Sequence, residues 1–422
     1  MIGAARRSTE VGLLILGAFI TGAAYVLASL GETASIPANI GPFLVAILGL
    51  FALAHIALRR LAPNADMVLL PVAGLLNGIG YVFIARLDPA LAGLQAVWTA
   101  VGVAVFIGTL TVIRRSADIE RYRYTFALLG ILLLLMPLLP GIGRTVNGAR
   151  LWVRVGSFTL QPGEFAKIAL AVFFASYLVE RRELLGPRGV TSWWARLGYL
   201  SPLLAAWGMS LVVMIAQKDL GSSLLFFSLF VTMLWMATGW LGYLGIGAGL
   251  FGVGALFSYS TFSHVQDRVQ VWLNPWPRAG GSGYQIVQAM FAFGAGGLAG
   301  TGLALGSPQR IPAAETDLIF AAIGEELGLL GAAAILMAFL LMVGTGLRIA
   351  LRADRPFDQL LAAGLTVILG FQSFIILGGV TRLLPLTGIT LPFVSYGGSS
   401  LLSNYLLLAL LLRVSDGQRK VV

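Results

Sequence analysis

The chain has 422 residues, of which 58% are hydrophobic and 11% charged, and its mean hydropathy is +0.89. A soluble domain carries about 25% charged residues, so a water-soluble globule is excluded and a polytopic membrane protein is expected. The net charge of +10 does not indicate nucleic acid, because the basic residues sit in short clusters between apolar runs, the pattern that sets membrane topology. With no cysteine there is no disulfide framework and no thiolate metal site, and the two histidines, His55 and His264, are too few for a His-rich centre.

MIGAARRSTE precedes an apolar run longer than a secretory h-region, and a second run follows at once. The N-terminus therefore reads as a signal anchor. A bilayer span needs about 20 apolar residues. Such runs fall near 11–30, 41–58, 67–85, 96–113, 124–140, 162–179, 199–216, 219–239, 241–261, 317–343, 359–379 and 390–412. Arg6 and Arg7 set the N-terminus inside, so the even-numbered connections are cytoplasmic. Those connections hold Arg59 and Arg60; Arg114, Arg115, Arg121 and Arg123; Arg181, Arg182, Arg188 and Arg196; and Arg348, Arg352 and Arg355. The C-terminus adds Arg413, Arg419 and Lys420. The expected fold is an all-α polytopic membrane protein of about 12 transmembrane helices. Residues 1–64 form a two-helix N-terminal addition and residues 65–422 the core, with a large outer loop at 262–316. Within that loop Met290 to Gly306 is apolar enough to pass for another span. Its six glycines weaken a helix by about 1 kcal/mol each, and counting it would put Arg348–Arg355 outside. It is expected to lie on the surface or re-enter the membrane.

Several arginines break the inside bias: Arg86, Arg144, Arg150, Arg154, Arg268, Arg278, Arg310 and Arg382, with Lys218. Singly, each solubilises a loop or snorkels. As a set they suit a phosphate-bearing ligand at the outer leaflet, because guanidinium forks match phosphate oxygens. Glu164 and Lys167, three apart near the start of the sixth span, read first as a structural ion pair, since ionised groups there must be paired. Asp219 reads equally as a helix-start carboxylate and as a cavity-shaping group. Glu325 and Glu326 lie roughly 12–14 Å into the tenth span at 1.5 Å per residue. They read as architectural, with Lys167 a candidate partner. The last span is entered through LPFVSYGGSS, whose small residues suit close packing or a substrate groove. Asp317 stands where the long loop rejoins the membrane, and long structured loops are where function concentrates.

These stretches together resemble the SEDS family of cell-shape, division and sporulation proteins (the RodA, FtsW and SpoVE types). The resemblance rests on NGARLW with QPGEFAK, QKDLG, RVQVWLNPW with GYQIVQ, GGLAGTGLALG, IPAAETDLIFAAIGEELG and PLTGITLPFVSYGGSS, in the family's order over residues 67–415. It implies a ten-span core and polymerisation of peptidoglycan glycan strands from lipid II at the outer face of the cytoplasmic membrane. It further implies Asp317 as the essential loop carboxylate, Trp152 as the tryptophan of the NGA-x-x-W motif, Glu164 and Lys167 as the helix-four pair, and Arg268 as the loop arginine. Arg310, Gln285 and Ser395 join Arg268 and Trp152 as candidate substrate-binding residues. Asp317 is the candidate base, or alternatively a ligand for a divalent cation such as Mg or Mn. In the first turn of a helix its charged form would be favoured, whereas desolvation or Glu315 would push the other way. The family also implies a class B penicillin-binding transpeptidase as partner, and the sequence leaves elongation and division types open. Departures are Ala313 and Glu315, where the family often has Glu and His, and Lys218 in place of proline. A lipid II flippase without chemistry is the alternative reading.

Overall fold

The computed structural model describes residues 2–35, 40–146, 149–156, 158–187, 189 and 192–418. Asn147 and Gly148 of NGARLW, and Arg188, Arg419 and Lys420 of the inside clusters, lie outside the described residues.

Helices fall within or across the expected apolar runs. They are α1 (Ile2–Thr33), α2 (Ile40–Leu61), α3 (Leu69–Leu87), α4 (Pro89–Val112) and, past a short α5 (Ala117–Glu120), α6 (Arg123–Leu135). Then come α7 (Gly163–Leu185), α8 (Trp193–Gln217), α9 (Leu220–Thr238) and α10 (Gly242–Thr261). The long loop holds α11 (Ser263–Leu273) and α12 (Tyr284–Gly296), and α13 (Ile319–Arg352), α14 (Pro356–Val380) and α15 (Gly398–Asp416) complete the chain. Among the described residues nine helices are long and apolar enough to cross a membrane. The helix α6, continued by a 3-10 turn at Met136–Leu138, is shorter.

Two features depart from the sequence expectation. The connection between α6 and α7 is a small antiparallel sheet of β1 (Gly143–Val146), β2 (Ala149–Val155) and β3 (Phe158–Leu160). Arg144 faces Trp152, and Val153 faces Leu160; the alternation of LWVRV carries the period of two that a strand requires. The last span begins at Gly398, so residues 390–397 form a packed loop rather than helix.

The chain folds as two compact units: Met1–Thr111, Phe262–Thr345 and Gln372–Leu412, and Val112–Thr261, Gly346–Phe371 and Arg413–Val422. In the first, the N-terminal pair is fastened by a buried charge cluster. Glu10 accepts from His55 Nδ1 at 2.8 Å and pairs with Arg59. Arg59 also donates to the carbonyls of Pro63 and Ala65 at 3.2 Å. Helix α3 crosses α15 through Asn77, whose Nδ2 donates to the Tyr405 hydroxyl at 2.8 Å and to Thr99 of α4 at 3.3 Å. All three are buried, so truncating one strands a partner at about 1–3 kcal/mol.

The helix α13 breaks at Gly328, where φ is 64° and ψ −166°. The break strips hydrogen bonds from the helix, and the glycine-rich segment after α12 replaces them. Thr301 and Gly302 donate to the carbonyls of Glu325 and Glu326 at 2.9 and 3.0 Å, while Leu329 and Leu330 donate to Gly297 and Leu298 at 3.0 and 3.2 Å. The segment near Met290–Gly306 is therefore partly helical as α12 and partly a strap docked into the break. Irregular backbone at membrane depth is tolerated only when satisfied in this way.

In the second unit α7 is the central helix, with Phe173, Phe174 and Tyr177 in tilted ring contact and Phe174 edge-on to Phe230 of α9. Gln217 at the end of α8 donates to the Leu134 carbonyl at 2.6 Å. Asp219 caps α9 by accepting from the Ser222 amide at 2.9 Å, the helix-start role read from sequence. Lys218 holds φ +61°, a conformation that proline, fixed near −65°, cannot adopt.

Candidate active site

Asp317 sits in the first unit, two residues before α13, in a run of turns rather than in the helix. The turns are closed locally: Thr316 and Leu318 both donate to the Ala313 carbonyl, at 3.1 and 3.2 Å. The loop before α15 then clamps them. Ser395 Oγ donates to the Thr316 carbonyl at 2.6 Å and accepts from the Leu391 amide at 2.9 Å, and the Tyr396 amide donates to the Glu315 carbonyl at 2.8 Å. Gly388, at φ +76°, lies so close that a Cβ there would stand 3.5 Å from Asp317 Oδ2. From the third side α11 delivers Arg268, whose Nη1 donates to the carbonyls of Leu386 and Thr387 at 3.0 and 3.1 Å. Trp272, one turn on, donates to the Arg382 carbonyl at 2.9 Å, and Arg382 returns a bond to the Trp272 carbonyl at 3.0 Å.

The electrostatics decide the question left open by the sequence. Burial pushes the Asp317 carboxyl up from 3.8 to about 6; Arg268 pulls it down and Glu315 adds to the rise. With no intrahelical position to favour the charge, desolvation prevails. A carboxylate with its pKa near neutrality is mostly ionised at pH 7 yet still accepts a proton, which is the requirement for a general base.

The structure brings Asp317, Arg268 and Ser395 together within this unit, although Ser395 is buried and its hydroxyl serves the Asp317 turn. Arg310 is exposed on a 3-10 turn, Pro308–Arg310, leading into the same turns, and Gln285 lies half-buried in the first turn of α12. Trp152 lies in β2 of the second unit, half-buried. Glu164 and Lys167 are in that unit as well, buried at the start of α7 and 2.7 Å apart. Glu325 and Glu326 have donors other than the Lys167 suggested by the sequence. Ser307 donates its amide to Glu325 Oε1 at 2.7 Å, Ala304 donates to Glu326 Oε2 at 3.0 Å, and Arg86 lies 3.7 Å from Glu326 Oε1. Both carboxylates thus anchor the strap, because buried acceptors must find donors. Sequence reasoning missed Gly388, for which the glycine in PLTG was the available signal. It also missed the use of Leu386 and Thr387 carbonyls to hold Arg268, which no residue type announces.

A family model described as cell cycle protein, covering FtsW, RodA and SpoVE, matches residues 84–420. The chain belongs to the FtsW/RodA/SpoVE family. Among the family's members, the peptidoglycan glycosyltransferase RodA of Mycobacterium tuberculosis is 46% identical over 98% of this chain and 92% of its own length. The stage V sporulation protein E of Bacillus subtilis is 37% identical over 68% of this chain and 77% of its own. In three dimensions the chain is similar to RodA of Thermus thermophilus, with a TM-score of 0.61 at 25% identity, covering 84% of this chain and 98% of that one. It is also similar to a chain of a peptidoglycan synthase complex that coordinates polymerization and crosslinking, with a TM-score of 0.71 at 25% identity over 84% and 99%. The family match begins inside α3, so α1 and α2 stand outside it.

Proposed function

We propose that this protein is a peptidoglycan glycosyltransferase that polymerises lipid II into glycan strands at the outer face of the cytoplasmic membrane. Both termini are then cytoplasmic and the loop at 262–316 faces outward. A sugar 4-hydroxyl attacks an anomeric carbon, the glycosidic bond forms, and the bond to the lipid diphosphate breaks. Asp317 takes the hydroxyl proton. Arg268, held by two carbonyls against the α11 side of the site, and exposed Arg310 face the charge that develops on the departing diphosphate, the position where fixed cations act on a transition state. Gln285 joins the substrate-contacting set, buried Ser395 holds the Asp317 turn in place through its hydroxyl, and the Glu164–Lys167 pair holds the start of α7.

The observation that supports this reading best is the Asp317 carboxyl, raised to about 6 and accompanied by Arg268. A Mg or Mn ion at this site would be held by Asp317 and Glu315 together with the substrate diphosphate, since such ions use one or two carboxylates plus phosphates. Exhaustive chelation of the purified protein tests that assignment. Higher identity to RodA than to SpoVE favours an elongation role, with a class B penicillin-binding transpeptidase as partner. The deciding experiment reconstitutes the purified protein with lipid II and looks for polymer. Lipid translocation without polymer would instead mean a flippase.

A further inference from the structure

Helix α1 lies outside the family match, yet its outer end reaches the strap that leads to Asp317. Gly31 abuts the backbone of Leu303: a Cβ there would overlap the Leu303 carbonyl oxygen and stand 3.2 Å from Ala304 Cβ. The amide of that same Ala304 donates to Glu326. Arg86 at the end of α3 also reaches this carboxylate, 3.7 Å from Glu326. With the Gln309 amide oxygen turned toward it, Arg86 also donates to Gln309 at 2.6 and 2.8 Å. Gln309 precedes Arg310, and the six residues 311–316 separate Arg310 from Asp317.

We propose that α1 is a working part of the polymerase: Gly31 from α1 and Arg86 from α3 grip residues 303–309, and this grip positions Arg310 and the Asp317 turn for catalysis. Gly31 and Arg86 are positioning residues that touch no substrate. The argument is one of close contact. Gly31 has no side chain because the carbonyl of Leu303 occupies the place of a Cβ, so any larger residue displaces the strap. The strap has little slack to absorb that shift, because Thr301 and Gly302 are bonded into the α13 break and Ser307 is bonded to Glu325. Displacement of about 1 Å at a catalytic group is enough to cost up to a hundredfold in rate. This inference rests on the polymerase reading and on Asp317 as the base.

The test uses the full chain with lipid II. Gly31→Val should lower kcat for polymerisation by about tenfold or more, leave KM within about twofold, and move the acidic limb of the pH profile, which reports the base. Its melting temperature should fall by no more than a few degrees, leaving the protein folded under assay conditions. Gly12→Val on the same helix, where a Cβ meets nothing within 4 Å, should behave as wild type. If Gly31→Val folds poorly, Arg86→Gln probes the grip from α3, and the same kcat-selective loss with a shifted limb is expected. Wild-type kcat and profile in the folded Gly31→Val protein, or in Arg86→Gln, overturn the proposal, as does a loss of activity that only follows a loss of melting temperature. Asp317→Asn is assayed alongside. If it stays active the base assignment fails, while the kcat of the Gly31 variant still reports on the brace.

Discussion

At the scale of single residues, the proposed chemistry turns on one carboxyl whose charge is disfavoured by its surroundings. Burial favours the neutral acid of Asp317, so its contribution to stability is present below the unfolded value of 3.8 and is lost as the pH rises through about 6. Asp317→Asn mimics the neutral form. It should melt like wild type near about pH 4 and no lower, and preferably higher, near about pH 8. Its polymerisation rate should fall by about two to four orders of magnitude with lipid binding largely kept. In the wild type, kcat/KM should drop as the pH falls below about 6, the value for the Asp317 carboxyl. A rate independent of pH from about pH 5 to 8 would remove Asp317 as the base. Glu164 and Lys167, bonded at 2.7 Å and buried, present the opposite case. Glu164→Gln or Lys167→Met should cost about 3–5 kcal/mol by stranding the partner charge. Exchanging the two residues should restore part of the loss in melting temperature. The position of Asp317 was legible in the sequence because a carboxylate where a long loop rejoins an apolar run is conspicuous. Its pKa was not, because the turns that keep it out of α13 are set by the Ser395 and Tyr396 contacts from residues far along the chain.

At the scale of elements, apolar length was enough to place the long apolar helices, since periodicity is not needed when the solvent is lipid. They did not disclose the break in α13. Gly328 looks like any small residue in a hydrophobic run; only the docked strap reveals that its φ of 64° is required. The strap itself was suspected from its glycines, and one of them closes the joint with Gly328 of α13. Gly300 holds φ +85°, where a Cβ would overlap the Glu326 carbonyl oxygen, and Gly328 stands opposite, where a Cβ would lie 2.6 Å from the Leu298 carbonyl. Either residue changed to Ala meets both a left-handed backbone and a carbonyl. Gly300→Ala and Gly328→Ala should therefore each lose about 1–3 kcal/mol, read as a lower melting temperature in detergent. Gly294→Ala, with nothing within 4 Å of its Cβ and a helical position in α12, should be neutral or slightly stabilising. Equal stability of all three variants would mean that the strap is not held in the break.

At the scale of the whole molecule, the chemistry requires the Asp317 site to face the side of the membrane where lipid-linked disaccharide is polymerised. Orientation in a bilayer is set by basic residues beside the spans. The clusters at Arg59–Arg60, Arg114–Arg123, Arg181–Arg196 and Arg348–Arg355 all belong to one side when α12 is re-entrant rather than spanning. A spanning α12 would instead reverse every later connection. The natural chain has no cysteine, so single cysteines can be placed without background. Ser282, exposed between α11 and α12, and Ser192, exposed just before α8, lie in connections expected on opposite sides. In intact cells a membrane-impermeant thiol reagent should label Ser282→Cys and spare Ser192→Cys, and permeabilisation should make both reactive. If Ser192→Cys reacts first, the site faces the cytoplasm, the substrate cannot be a headgroup held at the outer leaflet, and the assignment of Arg268 and Arg310 to its diphosphate falls with it.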